Sequence, residues 1–302
     1  MVNRAEGARA EGKLRRRQGR DLLVRRLGRA GLVLSPVFTY FFLWAPIVVL
    51  VIFSFNDSGS VSVWRGFTTR WYGNIFAAGS GEASFVTEKL LEALGNSLLV
   101  SFVAATIATA IGTMLALAIH RGDFPGKRLI DAFLYVPVVI PEITQGVSLA
   151  IFFRILFDYV HGLTGTRVVP GFATIITAHV AFNISYVVIV VRARLATMNS
   201  DLEEAAGDLG ANHLQTFWHI TFPLLLPGIL AGALLALTLS LDDYVVTFFT
   251  KGVGDDTLPI FVYGMLKQRV SPEINALSTL MILVSTLLIG VSLALQGRQR
   301  SA

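Results

Sequence analysis

The chain has 302 residues, 54% of them hydrophobic and 15% charged, with 25 Lys and Arg against 20 Asp and Glu and no cysteine. Soluble domains carry about 25% charged residues, so composition argues against a pair of soluble domains, and the lack of cysteine excludes disulfide frameworks and thiolate metal sites. The net charge of +5 comes from basic residues next to apolar runs, which favours an anionic membrane surface over nucleic acid as the partner.

Residues 1–30 hold ten basic residues, from Arg4 to Arg29, against Glu6, Glu11 and Asp21. With few large apolar residues such a segment cannot bury a core. It reads as a basic tail beside lipid; a nucleic-acid arm is the competing reading. Six apolar segments follow, at about 32–55, 98–119, 130–157, 172–191, 224–249 and 276–295. Each has the roughly 20 residues that a helix needs to cross about 30 Å of hydrocarbon. None alternates as a barrel strand does, and the first is too long for the core of a removable signal peptide. The expected fold is an all-α membrane protein of about six transmembrane helices, with a transmembrane domain over 31–296 and a short tail over 297–302. With both termini in the cytoplasm, seventeen of the twenty-five Lys and Arg lie on that side, in accord with the positive-inside rule.

The connection 56–94 carries Trp64, Trp71, Tyr72 and Phe76, an aromatic group suited to a surface anchor or to docking of an extracytoplasmic partner. The second span has small residues at every fourth position, Ala104, Ala108, Gly112 and Ala116; the fifth has Gly228, Gly232, Ala236 and Ser240. Such stripes let helix backbones approach closely in lipid, and packing within one bundle accounts for both. In the third span Pro137 and Pro141 predict a kink beside Glu142, and Arg154 is placed to pair with Asp158. In the fourth, His179 and Asn183 share a face, where they either line a pathway or hydrogen-bond to a neighbouring helix.

Carboxylates inside a membrane are costly and mark functional candidates. Glu142, Asp242 and Asp243 are three such groups, and helix rise places them in the outer half of the bilayer. They suit the lining of a cation pathway, with Tyr244, Phe248 and Phe249 offering cation–π faces. The competing reading has Asp242 and Asp243 capping a helix end or pairing with Arg154 or Lys251.

Between the fourth and fifth spans lies RARLATMNSDLEEAAGDLGANHLQTFWHITFP (192–223). Ser200 with Glu203 fits a capping box, Gly210 is placed to end that helix, and a second short helix from about Asn212 to Thr221 is expected to stop at Pro223. A loop this long and patterned suits a handle for a soluble partner. Asp201, Glu203, Glu204 and Asp208 outnumber Arg192 and Arg194 there, as either a docking face or a merely solvated one.

Glu204, Ala205 and Ala206, then Gly210 after three residues, then Ile220, Phe222 and Pro223 resemble the E-A-A motif of binding-protein-dependent ABC importer permeases, with Phe222 in place of the usual Leu. The segments VPVVIPEITQGVSLAIFF (136–153), LSLDDYVVTFFTKG (239–252) and LPIFVYGMLKQRVSPEINALSTLM (258–281) are similar to spermidine/putrescine permeases of the PotC type. The resemblance implies a MetI-like permease bundle in a bacterial inner membrane. It implies that the elbow over 200–222, with Glu203, Glu204, Ala205, Ala206 and Gly210, is a coupling helix seated in a cleft of an ATPase subunit. It further implies a sister permease, an extracytoplasmic substrate-binding protein and polyamine as solute; another small cationic or amine-bearing solute is the alternative. No P-loop, nucleophile elbow or metal motif occurs in the sequence. No catalytic residue, metal or cofactor is therefore expected, and ATP hydrolysis falls to another polypeptide. A self-contained secondary transporter is the more distant reading.

Overall fold

The structure is a computed structural model that describes residues 32, 34–59, 63–77, 85–199, 201–268 and 272–299. The basic tail and Ser200 lie outside the described residues. Apart from one antiparallel bridge, between Asn56 and Phe67, the regular structure among them is helical. The chain divides into two units, Met1–Gly73 with Ser271–Ala302, and Asn74–Val270.

The first unit holds α1 (Leu34–Phe53), the start of α2 (Arg70–Ala77) and α12 (Pro272–Gln299). α12 runs to Gln299, past the expected end of the membrane domain at 296. Asn56 organises the turn after α1. Its side chain donates to the Val63 carbonyl at 2.8 Å and accepts the Arg65 N–H at 2.9 Å, while its carbonyl accepts the Trp71 indole N–H at 2.9 Å. Trp71 is thereby a buried fold residue, whereas Trp64 stays exposed.

The second unit is built on α3 (Phe85–Arg121), α6 (Phe172–Leu195) and α9 (Phe222–Asp242), each packed on the other two. α4 (Lys127–Val139) packs on α6; α5 (Glu142–Thr164) packs on α10 (Val245–Thr250), and α11 (Leu258–Gln268) packs on α3. Five helical stretches are long and apolar enough to cross a membrane: α1, α3, α5, α6 and the continuous run His213–Asp242. α12 adds a shorter apolar stretch, Pro272–Leu287.

Both small-residue stripes face α6. A Cβ built on Gly112 would stand 2.8 Å from the Val187 Cβ, one on Gly232 would stand 3.4 Å from Val187 Cγ1, and one on Gly228 would stand 2.6 Å from the Arg194 Cβ. Val187, fully buried, is therefore wedged between α3 and α9. Gly112→Ala is expected to lower the melting temperature of the solubilised permease by overpacking, at about 1–3 kcal/mol. Gly95→Ala, with open space around its Cβ, should show no such loss.

The elements depart from expectation at four places, each for a physical reason. α3 starts at Phe85 rather than near Leu98, because Thr87, Leu90, Ala93 and Ser97 form a buried face although Glu88, Lys89 and Glu92 lower the mean hydropathy. The third span is two helices rather than one kinked helix. Ile140 is extended (φ −73°, ψ 133°), as a residue before proline tends to be, and Pro141 breaks the chain there while Pro137 stays inside α4. The fifth span ends at Asp242, and Asp243 (φ −64°, ψ 124°) separates it from α10. Pro223, expected to stop a helix, lies inside a continuous one. His213–Thr216 (α8) passes through a five-residue π-turn, Phe217–Thr221, into α9, and the Phe222 N–H reaches back to the Phe217 carbonyl. In α-helical geometry the Pro223 ring would collide with the carbonyl of His219; the wider turn makes room for it.

Candidate functional site

Two helix breaks meet at one cavity. It measures about 290 Å³ and is lined by Pro137 of α4, Glu142 and Gln145 of α5, Phe182 and Tyr186 of α6, Leu239 and Asp242 of α9, and Asp243, Tyr244, Val245 and Val246 at the second break. Four of the expected pathway residues, Glu142, Asp242, Asp243 and Tyr244, are thus brought together from segments a hundred residues apart in sequence. Gln145 explains how the first break is tolerated: its amide donates to the carbonyls of Pro137 at 2.5 Å and Ile140 at 2.9 Å, groups that a broken helix leaves without partners. Gln145 and Tyr186 were not among the residues expected at the site. Gln145 stands one turn from Glu142 on α5, and Tyr186 stands two turns from His179 on α6, so helical spacing was the available signal.

The acids differ in role. Asp243 is held: its carboxylate accepts the Thr247 N–H at 2.8 Å and the Thr247 hydroxyl at 2.7 Å, so it caps α10, and its side chain is only 6% exposed. His179, fully buried, lies behind it, with Nε2 3.3 Å from the Asp243 carboxylate and 2.9 Å from the Thr247 hydroxyl, and Nδ1 against the Ser240 hydroxyl. Every one of these contacts is satisfied when Nε2 carries the proton and Ser240 donates to Nδ1. The capping reading is thus correct for Asp243. The ion pairs offered as alternatives go elsewhere, Arg154 to Asp158 at 3.3 Å and Lys251 to Asp256 at 2.7 Å. Glu142 and Asp242 are exposed along the chain surface at the cavity.

His179 bonds across helices and Asn183 does not line the cavity; both are corrections to a pathway-lining role. Asn183 is fully buried with neither amide atom hydrogen-bonded. Phe248 and Phe249 also stay outside the cavity lining: Phe249 packs over Gly146, and Phe248 stacks on Tyr244 at 5.8 Å. Asp243→Ala is expected to cost about 1–3 kcal/mol of stability, because α10 loses its cap and the buried imidazole loses an acceptor. Asp242→Asn should leave thermal melting unchanged, and comparing the two melting curves checks the distinction.

The elbow is ordered by local chemistry. α7 (Asp201–Asp208) ends at Gly210, whose φ of +87° is the left-handed value expected at that position, and the Ala211 N–H bonds the Ala206 carbonyl at 3.0 Å. Asn212 and Gln215 form a reciprocal capping box that starts α8, each bond 2.9 Å. Glu203 is expected to cap with Ser200, which lies outside the described residues. Its carboxylate takes the Arg121 guanidinium and the Thr221 hydroxyl, the latter at 2.6 Å, so it faces the bundle. Ala206 is buried too. Asp201, Glu204, Ala205 and Asp208, at helical spacing, form the exposed face. Phe217, Trp218 and Phe222 cluster with ring centroids 5.1–6.1 Å apart and line an apolar groove of α3 and α9, with Trp218 and Leu214 both exposed.

A bundle of long apolar helices, with a polar cavity where two of them break and an ordered elbow apart from it, has the build of a membrane transport subunit. The chain belongs to the family of binding-protein-dependent transport system inner membrane components, whose model matches residues 108–300. It is a multi-pass component of a transporter, not an enzyme. It is 41% identical over 242 residues to the putrescine transport system permease protein PotI of Escherichia coli K12, covering 80% of this chain and 82% of that protein. It is 34% identical over 267 residues to the spermidine/putrescine permease PotC of the same strain, covering 88% and 93%. The PotC of Haemophilus influenzae is 36% identical over 253 residues, covering 84% and 91%. In fold the chain is similar to a chain of a bacterial ABC transporter for import of the acidic polysaccharide alginate, with TM-score 0.68 at 18% identity, covering 92% of this chain and 98% of that one.

Proposed function

We propose that this chain is a permease subunit of an ATP-driven polyamine importer. One observation carries the reading: Glu142, Asp242 and Asp243 converge, with Tyr186 and Tyr244, on a single cavity at paired helix breaks. Carboxylates and aromatic faces are the groups that replace water around ammonium ions. Asp243 with His179 holds the break open in shape; Glu142 and Asp242 are the acids left to meet the solute. The permeases named PotI and PotC that this chain resembles support spermidine or putrescine as that solute. Another small amine is the second reading, favoured to the extent that the cavity holds no geometry specific to a particular chain length.

The elbow over 200–222 serves in this reading as the handle for an ATPase, with Glu204 and Ala205 on the docking face. From α8 through α9 the helix is unbroken over 30 residues, so a rod of about 45 Å joins elbow to cavity. Movement of the elbow would reach Asp242 without an intervening hinge. The assembly includes a sister permease, ATPase subunits and an extracytoplasmic binding protein, with both termini and the elbow in the cytoplasm and the basic tail 1–30 at the lipid surface. Uptake of radiolabelled spermidine and putrescine, with and without this subunit in an otherwise complete transporter, tests the reading. Equal uptake in both would end it.

A further inference from the structure

We infer that Arg121 is a positioning residue for energy coupling, clamping the elbow helix to the end of α3 and to the π-turn of α9. Arg121 is the last residue of α3. Its Nη2 donates to the Glu203 carboxylate of α7 and lies 3.3 Å from the Thr221 hydroxyl, which itself donates to the same Glu203 oxygen at 2.6 Å. The other two groups lie 82 and 100 residues from Arg121 in the chain, and Thr221 is fully buried. Among the described residues, Glu203 is the α7 side chain that hydrogen-bonds beyond the elbow's own loop.

A lone surface ion pair does little. This one closes a ring with a buried hydroxyl, because the Nη2 of a rigid, planar guanidinium bonds both the carboxylate and the hydroxyl. The position matters as well. Thr221 ends the π-turn that lets α9 run past Pro223, so the clamp grips the helix at that widened turn. With the clamp closed, α7 moves together with α3 and α9, two of the three core helices. With it open, α7 can swing on Gly210 and the 196–199 turn while the bundle stays still.

The inference rests on the elbow being the ATPase handle, and the test separates the two. The complete transporter, reconstituted in proteoliposomes, is assayed for ATP hydrolysis and for spermidine and putrescine uptake. Arg121→Gln and Glu203→Gln should retain the ATPase on purification and keep hydrolysis within about two-fold, while uptake falls about five-fold. Arg121→Lys should fall between, and the exchange Arg121→Glu with Glu203→Arg should recover most of the uptake. Unchanged uptake in the single variants overturns the inference. So does a proportional fall of hydrolysis and uptake, which is the mark of a merely structural helix-end contact. A reversal at the exposed face, Glu204→Arg, that leaves the ATPase attached would instead strike the reading of the elbow, whatever the Arg121 variants do.

Discussion

Replacing Glu142 and Asp242 together by their amides is expected to lower polyamine uptake by about twenty-fold or more, with the amount of assembled permease unchanged. Both side chains are exposed at the cavity rather than committed to the fold, so their charge can be removed without leaving a buried group unpaired. A charge-assisted hydrogen bond to an ammonium is worth about 1.5–3 kcal/mol, roughly ten-fold or more in an equilibrium for each bond lost. Single amides should show smaller effects, and the pair should exceed either, since both acids open on one cavity. Asp243→Asn is a less informative variant, because that carboxylate caps α10 and any loss would mix folding with transport. Initial rates measured against immunoblotted permease give the answer. Undiminished rates in the double variant would mean that the acids do not meet the solute.

Reversing charge on the outer face of the elbow, with Glu204→Arg and Asp208→Arg together, should lower recovery of the ATPase with the permease by about ten-fold or more, since like charges set against a complementary surface cost several kcal/mol. Glu204, Ala205 and Asp208 are exposed, and none of them is tied to the bundle as Glu203 is. The permease itself should therefore fold and reach the membrane normally. Affinity purification followed by densitometry of the two subunits measures the effect. Full recovery of the ATPase would assign docking to another surface.

The elbow was the most legible part of the molecule. Gly210, the E-A-A spacing and the start of a second helix at Asn212 all follow from local rules, because capping and left-handed turns depend on residues within a few positions of one another. The break at Pro141 was readable as a disturbance but not as a full interruption. Its stability depends on Gln145 folding back to the Pro137 and Ile140 carbonyls. Pro223 misled for the opposite reason. A proline reads as a stop, yet a widened turn two to six residues upstream absorbed its ring, and no local pattern announces a π-turn. His179 and Asn183 look equivalent in sequence, four residues apart on one face. The antiparallel register of α6 against α9 sets Ser240 opposite His179, and the break after α9 brings Thr247 and Asp243 to the same ring, while Asn183 receives neither.

By itself the sequence determined that this is a membrane helical bundle with about six spans, small-residue packing stripes, intramembrane acids and a patterned elbow. Hydropathy, helical period and capping chemistry are all local, and each acts within one or two turns of chain. Only the tertiary structure decided which acid is free and which is a cap, that two separate breaks share one cavity, and that Arg121 closes on Glu203 and Thr221. Those outcomes depend on which helices become neighbours and in what register, set by Val187 seated between Gly112 and Gly232, and side chains a hundred residues apart meet only once that packing exists.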